Sequence, residues 1–149
     1  MTEKDKFTQL FREAQINFSR FYAIVLTKAG LTLQQYALLG QLAASGSVPM
    51  TEASKQLRIT KPAVTHLVDR LEEMKCLKRL PHPKDRRIFL LEIQPKGTTL
   101  VRKVQSQVLE ILLKALLHFG NEDQKTINQF YSLLVKHLEP TEHKIGNKK

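Results

Sequence analysis

The chain has 149 residues, enough for one domain or a compact pair of subdomains with a buried core. Its single cysteine excludes an internal disulfide framework, and its net charge of +10 favours an anionic partner such as nucleic acid. The N-terminus lacks the apolar region of a signal peptide, and no apolar run approaches the roughly 18 residues of a membrane helix. We therefore expect a cytoplasmic protein without a membrane partner.

The first predicted element is a helix from about Lys4 to Ala29, with Gly30 as its stop. Its apolar residues repeat at the helical period and form one long stripe, which comprises Phe7, Leu10, Phe11, Ala14, Phe18, Phe21, Tyr22 and Val25. A small domain rarely buries such a stripe internally, so we expect it to pack against another subunit. An ordinary core helix is the alternative.

Two shorter helices are predicted next. Thr32 and Gln35 form a capping box that starts a second helix ending near Ala44. Residues 45–49 are predicted as a loop, and Thr51 as the N-cap of a short third helix that ends near residue 59. A third helix followed by a tight turn and a fourth is the pattern of a helix-turn-helix.

The predicted fourth helix has one apolar and one polar face. Thr60 is its expected N-cap, and Pro62 is tolerated in its first turn. Its apolar residues fall at positions i, i+3, i+4 and i+7, namely Val64, Leu67, Val68 and Leu71. Two apolar runs, 77–80 and 88–93, then flank the basic segment 81–87 and are predicted to form a β-hairpin.

The basic charge is concentrated in this middle part of the chain. Residues 55–87 contain ten basic and four acidic side chains, a local charge of +6. A polar helix beside a basic turn indicates a DNA-reading surface, because an α-helix fits the major groove. The helix supplies seven candidate contacts: Thr60 and Lys61 for phosphate, Pro62 and Ala63 for a thymine methyl group, Thr65 and His66 for base edges, and Arg70 for phosphate or a pair with Asp69 or Glu73. A merely solvated polar face is the alternative.

Two long apolar-striped helices are predicted to complete the chain. The first spans about residues 95–119 and ends at Gly120. Asn121 and Gln124 are predicted to cap the last helix, which Pro140 stops. Apolar helical ends around a basic centre favour a dimerising part and a DNA-binding part.

The order of these features resembles the MarR family of winged-helix transcription regulators. The resemblance is carried by the Thr60-started helix ending in VDRLEE, by Asp85-Arg86-Arg87, and by the spacing to Leu91, Ile93 and Gly97. It implies a mainly α fold with a small β-hairpin wing. A winged helix-turn-helix at 31–97 would be flanked by dimerisation helices at 1–30 and 98–140, with a basic tail at 141–149.

The resemblance also implies roles for the basic turn. In the family's Asp-x-Arg motif the arginine enters the minor groove and the aspartate steadies it, which assigns these roles to Arg87 and Asp85. Arg86 and Lys84 would contact phosphate. The physical reason is that a narrow A/T-rich minor groove concentrates negative potential and attracts arginine. Asp85 is equally a turn-forming residue, and both roles are compatible.

The function implied is that of a homodimeric repressor on a pseudo-palindromic operator, released by a small aromatic or phenolic effector. Four aromatic residues are candidates for an effector pocket but are equally explained as core, so the pocket residues stay open: Phe18, Phe21, Tyr22 and Tyr36. A non-specific architectural DNA-binding protein and a protein-interaction winged helix are the alternatives. We expect no enzymatic activity, cofactor or metal, because the sequence has no catalytic set and its five histidines lack metal-ligand spacing.

The chain departs from the family pattern at several positions. Lys75 replaces the usual glycine at the end of the recognition helix, so a left-handed residue there would cost about 1 kcal/mol unless the helix stops differently. Gln94 is a poorer N-cap than the usual threonine. Ala53 and His66 also differ from the common residues, and His66 leaves the operator sequence open. Cys76 occupies an apolar position and is expected to be a buried, inert thiol rather than a redox sensor.

Overall fold

The computed structural model describes residues 1–139, which divide into two compact units, Met1–Val108 and a second unit that begins at Leu109. The described residues form six helices and three strands: α1 Glu3–Ala29, α2 Leu33–Ser45, β1 Val48–Pro49, α3 Met50–Leu57, α4 Lys61–Glu73, β2 Leu77–Pro81, β3 Phe89–Ile93, α5 Pro95–Leu116 and α6 Asn121–Leu138. The predicted class, mainly helical with a small sheet, is confirmed. The predicted stop at Pro140 and the tail 141–149 lie outside the described residues.

Three of the predicted helix ends are confirmed by their hydrogen bonds. The Gln35 backbone N–H donates to Thr32 Oγ1 at 3.1 Å, and the Thr32 N–H donates to Gln35 Oε1 at 2.9 Å, which completes the capping box of α2. The Ala63 N–H donates to Thr60 Oγ1 at 3.3 Å at the start of α4. Gly30 ends α1 in the left-handed conformation, with φ 71°.

The predicted N-cap of α3 is wrong. Thr51 lies inside the helix, which begins at Met50 and has Pro49 as its N-cap without a side-chain hydrogen bond. The preceding strand explains the difference, because Pro49 is still paired in the sheet and the helix starts directly after it.

The junction of the last two helices also differs from expectation. Helix α5 ends at Leu116, earlier than the predicted residue 119, and Asn121 is the first residue of α6 rather than its cap. Gly120 occupies the N-cap position, where its backbone is extended. The Gln124 side chain points back instead, and its Nε2 donates to the Phe119 carbonyl at 2.8 Å.

The sheet has three antiparallel strands in the order β1-β3-β2. The hairpin of β2 and β3 was predicted, but β1 was predicted as loop. This strand has only two residues, Val48 paired with Leu91 and Pro49 with Leu90. Because proline lacks an N–H, its place at the sheet edge is the tolerated one.

One hydrophobic core lies in the first unit. It is formed by helices α1 to α4, the inner faces of the strands and the first turns of α5. Its largest fully buried side chains include Leu38, Leu39, Leu42, Leu71, Leu77 and Leu91. The four apolar residues predicted for the inner face of α4 are all buried. The sheet and α4 are therefore fixed on a common core.

The second unit has no buried residue among those that the structure describes. An open apolar groove of about 370 Å³ lies between the last turns of α5 and helix α6. Its lining residues include Leu112, Phe119, Ile127 and Tyr131. Separately, none of the helices within residues 1–139 combines the length and apolar character needed to span a membrane.

Lys75 adopts the left-handed conformation that the missing glycine would have favoured, with φ 59°. The Lys75 N–H donates to the Glu72 carbonyl and the Cys76 N–H to the Leu71 carbonyl, both at 2.9 Å, which is the Schellman arrangement at a helix end. The chain therefore keeps the family's helix stop and bears its conformational cost.

Lys75→Gly is expected to raise the free energy of unfolding by roughly 0.5 to 1 kcal/mol, because relief of left-handed strain exceeds the added entropy of the unfolded chain. Lys75→Ala is the matched control, since it removes the same side chain and keeps the Cβ. Urea unfolding followed by circular dichroism measures both variants. Equal stability of the two would show that the lysine side chain, and not the backbone, decides the effect.

Candidate nucleic-acid interface

Helix α4 turns a polar face outward because its apolar residues are buried on the opposite side. The predicted contact residues of the helix are all exposed: Thr60, Lys61, Pro62, Ala63, Thr65, His66 and Arg70. Thr65 Oγ1 donates to the Lys61 carbonyl at 3.0 Å, so its oxygen lone pairs face outward as acceptors. A base amino group in the major groove matches such an acceptor.

Arg70 pairs with Glu73, one of its two predicted partners, with a distance of 3.6 Å between Nη1 and Oε2. Both side chains are more than 60% exposed, so the pair contributes little and leaves Arg70 available to a phosphate. The other predicted partner, Asp69, is paired with Arg79 instead.

The wing turn holds Arg87 through a carboxylate. Arg87 Nε donates to Asp85 Oδ1 at 3.1 Å, Nη2 donates to Oδ2 at 3.2 Å, and the Arg87 backbone N–H donates to Oδ1 at 3.0 Å. The Arg87 side chain is nevertheless 90% exposed. Asp85 therefore orients the guanidinium without covering it.

The turn itself is closed by hydrogen bonds that involve His82. The His82 N–H donates to the Ile88 carbonyl at 2.9 Å, and the Ile88 N–H donates to the Asp85 carbonyl at 3.0 Å. The Lys84 N–H donates to His82 Nδ1 at 3.1 Å. No sequence pattern predicted this role of His82, because it depends on the conformation of the turn.

The hydrogen bonds from the Arg87 side chain and backbone lower the pKa of the Asp85 carboxyl below its ordinary value. A lowered pKa means that this interaction stabilises the turn at all pH values above the ordinary aspartate range. It is lost only when the pH falls through the lowered pKa. The Arg87 support is therefore insensitive to pH near neutrality.

One groove brings the two predicted surfaces together. It has a volume of about 200 Å³, and its lining residues include Lys61 and Thr65 of α4 and Arg87 of the wing. The lining residues that were not predicted as contacts include the hydroxyl residues Thr51 and Ser54 of α3, and Phe89, which is 44% exposed. The other predicted contacts lie outside this groove: Thr60, Pro62, Ala63, His66, Arg70, Lys84, Asp85 and Arg86.

Cys76 is fully buried at the start of the hairpin. Burial raises the pKa of its thiol, although the charge of Lys96 opposes the shift. A buried thiol with a raised pKa is a poor nucleophile at neutral pH. The expectation of burial is confirmed, and the inert character of the thiol stays a prediction.

Comparison with known proteins decides the family. A sequence profile of the MarR family matches residues 29–88. The transcriptional regulator Tm0710 of Thermotoga maritima is 30% identical, with 91% of this chain and 95% of Tm0710 covered and a TM-score of 0.72. The chain belongs to the MarR family. As a member, it is a DNA-binding transcription regulator and not an enzyme, as the sequence predicted.

Two further proteins are similar over most of the chain. The transcriptional repressor MdtR of Bacillus subtilis is 26% identical over 117 residues, which cover 78% of this chain and 76% of MdtR. A mutant of S. aureus MepR, solved bound to an oligodeoxyribonucleotide, matches with a TM-score of 0.70 at 21% identity, covering 89% of this chain and 98% of MepR. The likeness to MepR is one of fold.

Proposed function

We propose that this MarR-family regulator is a homodimeric, cytoplasmic repressor that binds a pseudo-palindromic operator and is released by a small aromatic or phenolic effector. The observation that carries the DNA-binding part is the groove shared by Lys61, Thr65 and Arg87. It places the polar face of the recognition helix beside the exposed wing arginine. A duplex contacted in its major groove by the recognition helix would meet Arg87 in the flanking minor groove.

Each predicted contact keeps its proposed role. The exposed residues Thr65 and His66 would read base edges, and Pro62 and Ala63 would touch a thymine methyl group. Arg87, supported by Asp85, would enter the minor groove. The phosphate contacts would come from Thr60, Lys61, Arg70, Lys84 and Arg86. The repressor role rests on the family and on the relative MdtR, which is itself a repressor.

The dimer proposal rests on exposed apolar side chains in the predicted dimerisation regions, 1–30 and 98–140. Helix α1 exposes about half of Phe7, Leu10 and Phe11, while its buried residues are Val25 and Leu26 near its end. The second unit exposes a larger set, which includes Leu113, Leu117, Phe130, Leu133, Val135 and Leu138. Apolar patches of this extent on a folded chain indicate a subunit interface.

Leu133→Glu is expected to convert the dimer into a monomer, because it places a charge in the proposed interface. The matched control is Leu33→Glu on α2, since Leu33 is 66% exposed and Leu133 58% exposed. Analytical ultracentrifugation at micromolar concentration measures both. A dimer that survives Leu133→Glu, or a monomeric unmodified protein, would contradict the proposed interface.

The effector proposal is supported by a pair of phenols in the first unit. Tyr22 of α1 and Tyr36 of α2 are half-buried, with ring centroids 6.5 Å apart. Burial and the neighbouring Tyr22 raise the pKa of Tyr36, although a hydrogen bond to Gln105 opposes the shift. The Tyr36 hydroxyl therefore stays protonated near neutral pH, and a neutral phenol group suits an aromatic or phenolic ligand.

The deciding experiment is footprinting on the DNA upstream of the protein's own gene, followed by binding to the protected duplex and to a random duplex over a range of salt concentrations. We expect preference for the protected duplex of about 10³-fold or more. Equal affinity for both duplexes would favour the architectural alternative. Absence of any protected site, together with no binding to the random duplex, would favour the protein-interaction alternative.

A further inference from the structure

Arg79 is the cation that joins the recognition helix to the wing. Its Nη1 donates to Glu72 Oε1 at 2.8 Å, its backbone N–H donates to Glu72 Oε2 at 3.1 Å, and its Nη2 pairs with Asp69. The Arg79 side chain is only 20% exposed, whereas the carboxylates of Asp69 and Glu72 are 50% and 41% exposed. A single arginine of β2 therefore holds carboxylates on two successive turns of α4.

The position of this cluster relates it to the DNA-binding surface. Asp69 follows Thr65 by four residues and His66 by three, so its carboxylate lies on the helix face that carries the proposed base contacts. Arg79 lies on β2, which pairs with β3 along its whole length, and these two strands carry the turn with Arg87. Arg79 thus connects the two elements that would read DNA.

The chemistry of the cluster requires arginine. A planar guanidinium can bind two carboxylates at once with fixed directions, which the compact ammonium of lysine cannot reproduce. Although burial opposes the charge, Asp69 and Glu72 raise the pKa of Arg79 above its ordinary value. The cation is therefore permanent, and the carboxylates beside the reading face are neutralised.

We propose that Arg79 is a positioning residue for DNA binding, which fixes the orientation of the wing relative to the recognition helix and neutralises Asp69 beside the base-reading positions. This inference rests on the proposed DNA-binding function. Loss of the guanidinium frees two carboxylates to repel phosphate and removes the side-chain link between α4 and β2. Specific binding depends on both elements meeting their grooves together, so it suffers more than non-specific binding.

The first test measures geometry without DNA. Nitroxide labels at His66→Cys and Arg86→Cys, in a Cys76→Ala background and diluted with unlabelled chain, report the distance between recognition helix and wing by pulsed electron paramagnetic resonance. We expect Arg79→Lys and Arg79→Met to broaden the distance distribution. Lys78→Met is the control: Lys78 precedes Arg79 on β2 and pairs with Glu92 of β3 at 3.4 Å, away from α4. An unchanged distribution in Arg79→Met would overturn the proposal.

The second test measures DNA binding where circular dichroism shows every variant folded. On the footprinted operator we expect Arg79→Met to lose about tenfold or more in affinity, with a loss below about threefold on random duplex. Lys78→Met should weaken both duplexes equally, since it removes only charge. Equal losses on both duplexes with Arg79→Met would overturn the positioning role.

A triple variant separates geometry from charge. Adding Asp69→Asn and Glu72→Gln to Arg79→Met removes the freed carboxylates but does not restore the link to β2. We expect the operator affinity of the triple variant to stay several-fold below that of the unmodified protein. Full recovery of the affinity would show that Arg79 only neutralises the carboxylates and does not position the wing. If no operator is found, the proposed function fails while the distance measurement still decides the role of Arg79.

Discussion

Arg87→Ala is expected to weaken binding to the operator by about 10- to 100-fold, corresponding to the roughly 1 to 3 kcal/mol of one well-placed arginine. The side chain is 90% exposed and pairs with Asp85, so its removal leaves the packing of the hydrophobic core unchanged. Thermal unfolding should therefore change little, which separates the effect on binding from an effect on folding. Fluorescence anisotropy with a labelled operator duplex at fixed salt measures the change.

The adjacent Arg86 provides the control for this prediction. Arg86→Ala removes the same charge one residue away, and the loss of a phosphate contact should lower affinity several-fold and reduce the salt slope by about one. Its effect should be the same whether the flanking bases are A/T-rich or G/C-rich. The effect of Arg87→Ala should shrink when the flanks are G/C-rich, because the minor groove is then wider and less negative. Identical behaviour of the two variants would contradict the minor-groove assignment of Arg87.

Gly97→Ala is expected to lower the free energy of unfolding by about 3 kcal/mol and the melting temperature by roughly 6 to 12 °C. A Cβ at this buried glycine would overlap the Cys76 carbonyl oxygen and lie 3.0 Å from Ile93 Cγ1. The Cys76 carbonyl is fixed because it accepts the Gln94 N–H at 2.8 Å. Relief of the clash would have to move the first turn of α5 away from the start of the hairpin.

Gly40→Ala is the matched control in helix α2. A Cβ at Gly40 meets no atom within 4 Å, so the substitution should stabilise the protein by about 0.5 to 1 kcal/mol through helix propensity. Differential scanning calorimetry of the two variants should therefore show shifts of opposite sign. If the melting temperature of Gly97→Ala equals that of the unmodified protein, the backbone around Cys76 shifts to accommodate the added Cβ without loss of stability.

Local chemistry made much of the fold predictable. The Thr32 capping box, the Thr60 cap and the apolar face of α4 each depend on residues within one or two turns, and all are confirmed. The β-hairpin of the wing was predicted from two apolar runs on either side of a basic segment. The predicted N-caps Thr51 and Asn121 are wrong because other residues occupy the N-cap positions. These are the strand residue Pro49 before α3 and the extended Gly120 before α6.

Long-range pairing set the limit of prediction. Strand β1 is too short to show a pattern of its own and exists because Val48 pairs with Leu91 in the sheet. Likewise, Arg79 contributes to the local basic charge in sequence but is held by carboxylates seven and ten residues earlier, on a different element. The groove residues Thr51 and Ser54 come from α3, whereas Phe89 comes from β3, far along the chain. In each case the fold brings together residues that have no relation of spacing.

Helix α6 gains no folding free energy from buried residues within its own chain, since none of its residues is buried. On the proposal that a second chain covers it, unfolding separates two molecules, and the stability of the native state rises with the total amount of protein. Each tenfold increase in concentration then adds about 1.4 kcal/mol per dimer. Below the dissociation constant of the dimer, operator occupancy follows the square of the chain concentration. A change in the rate of synthesis of the regulator would therefore change operator occupancy at its target genes, in addition to the change that any effector causes.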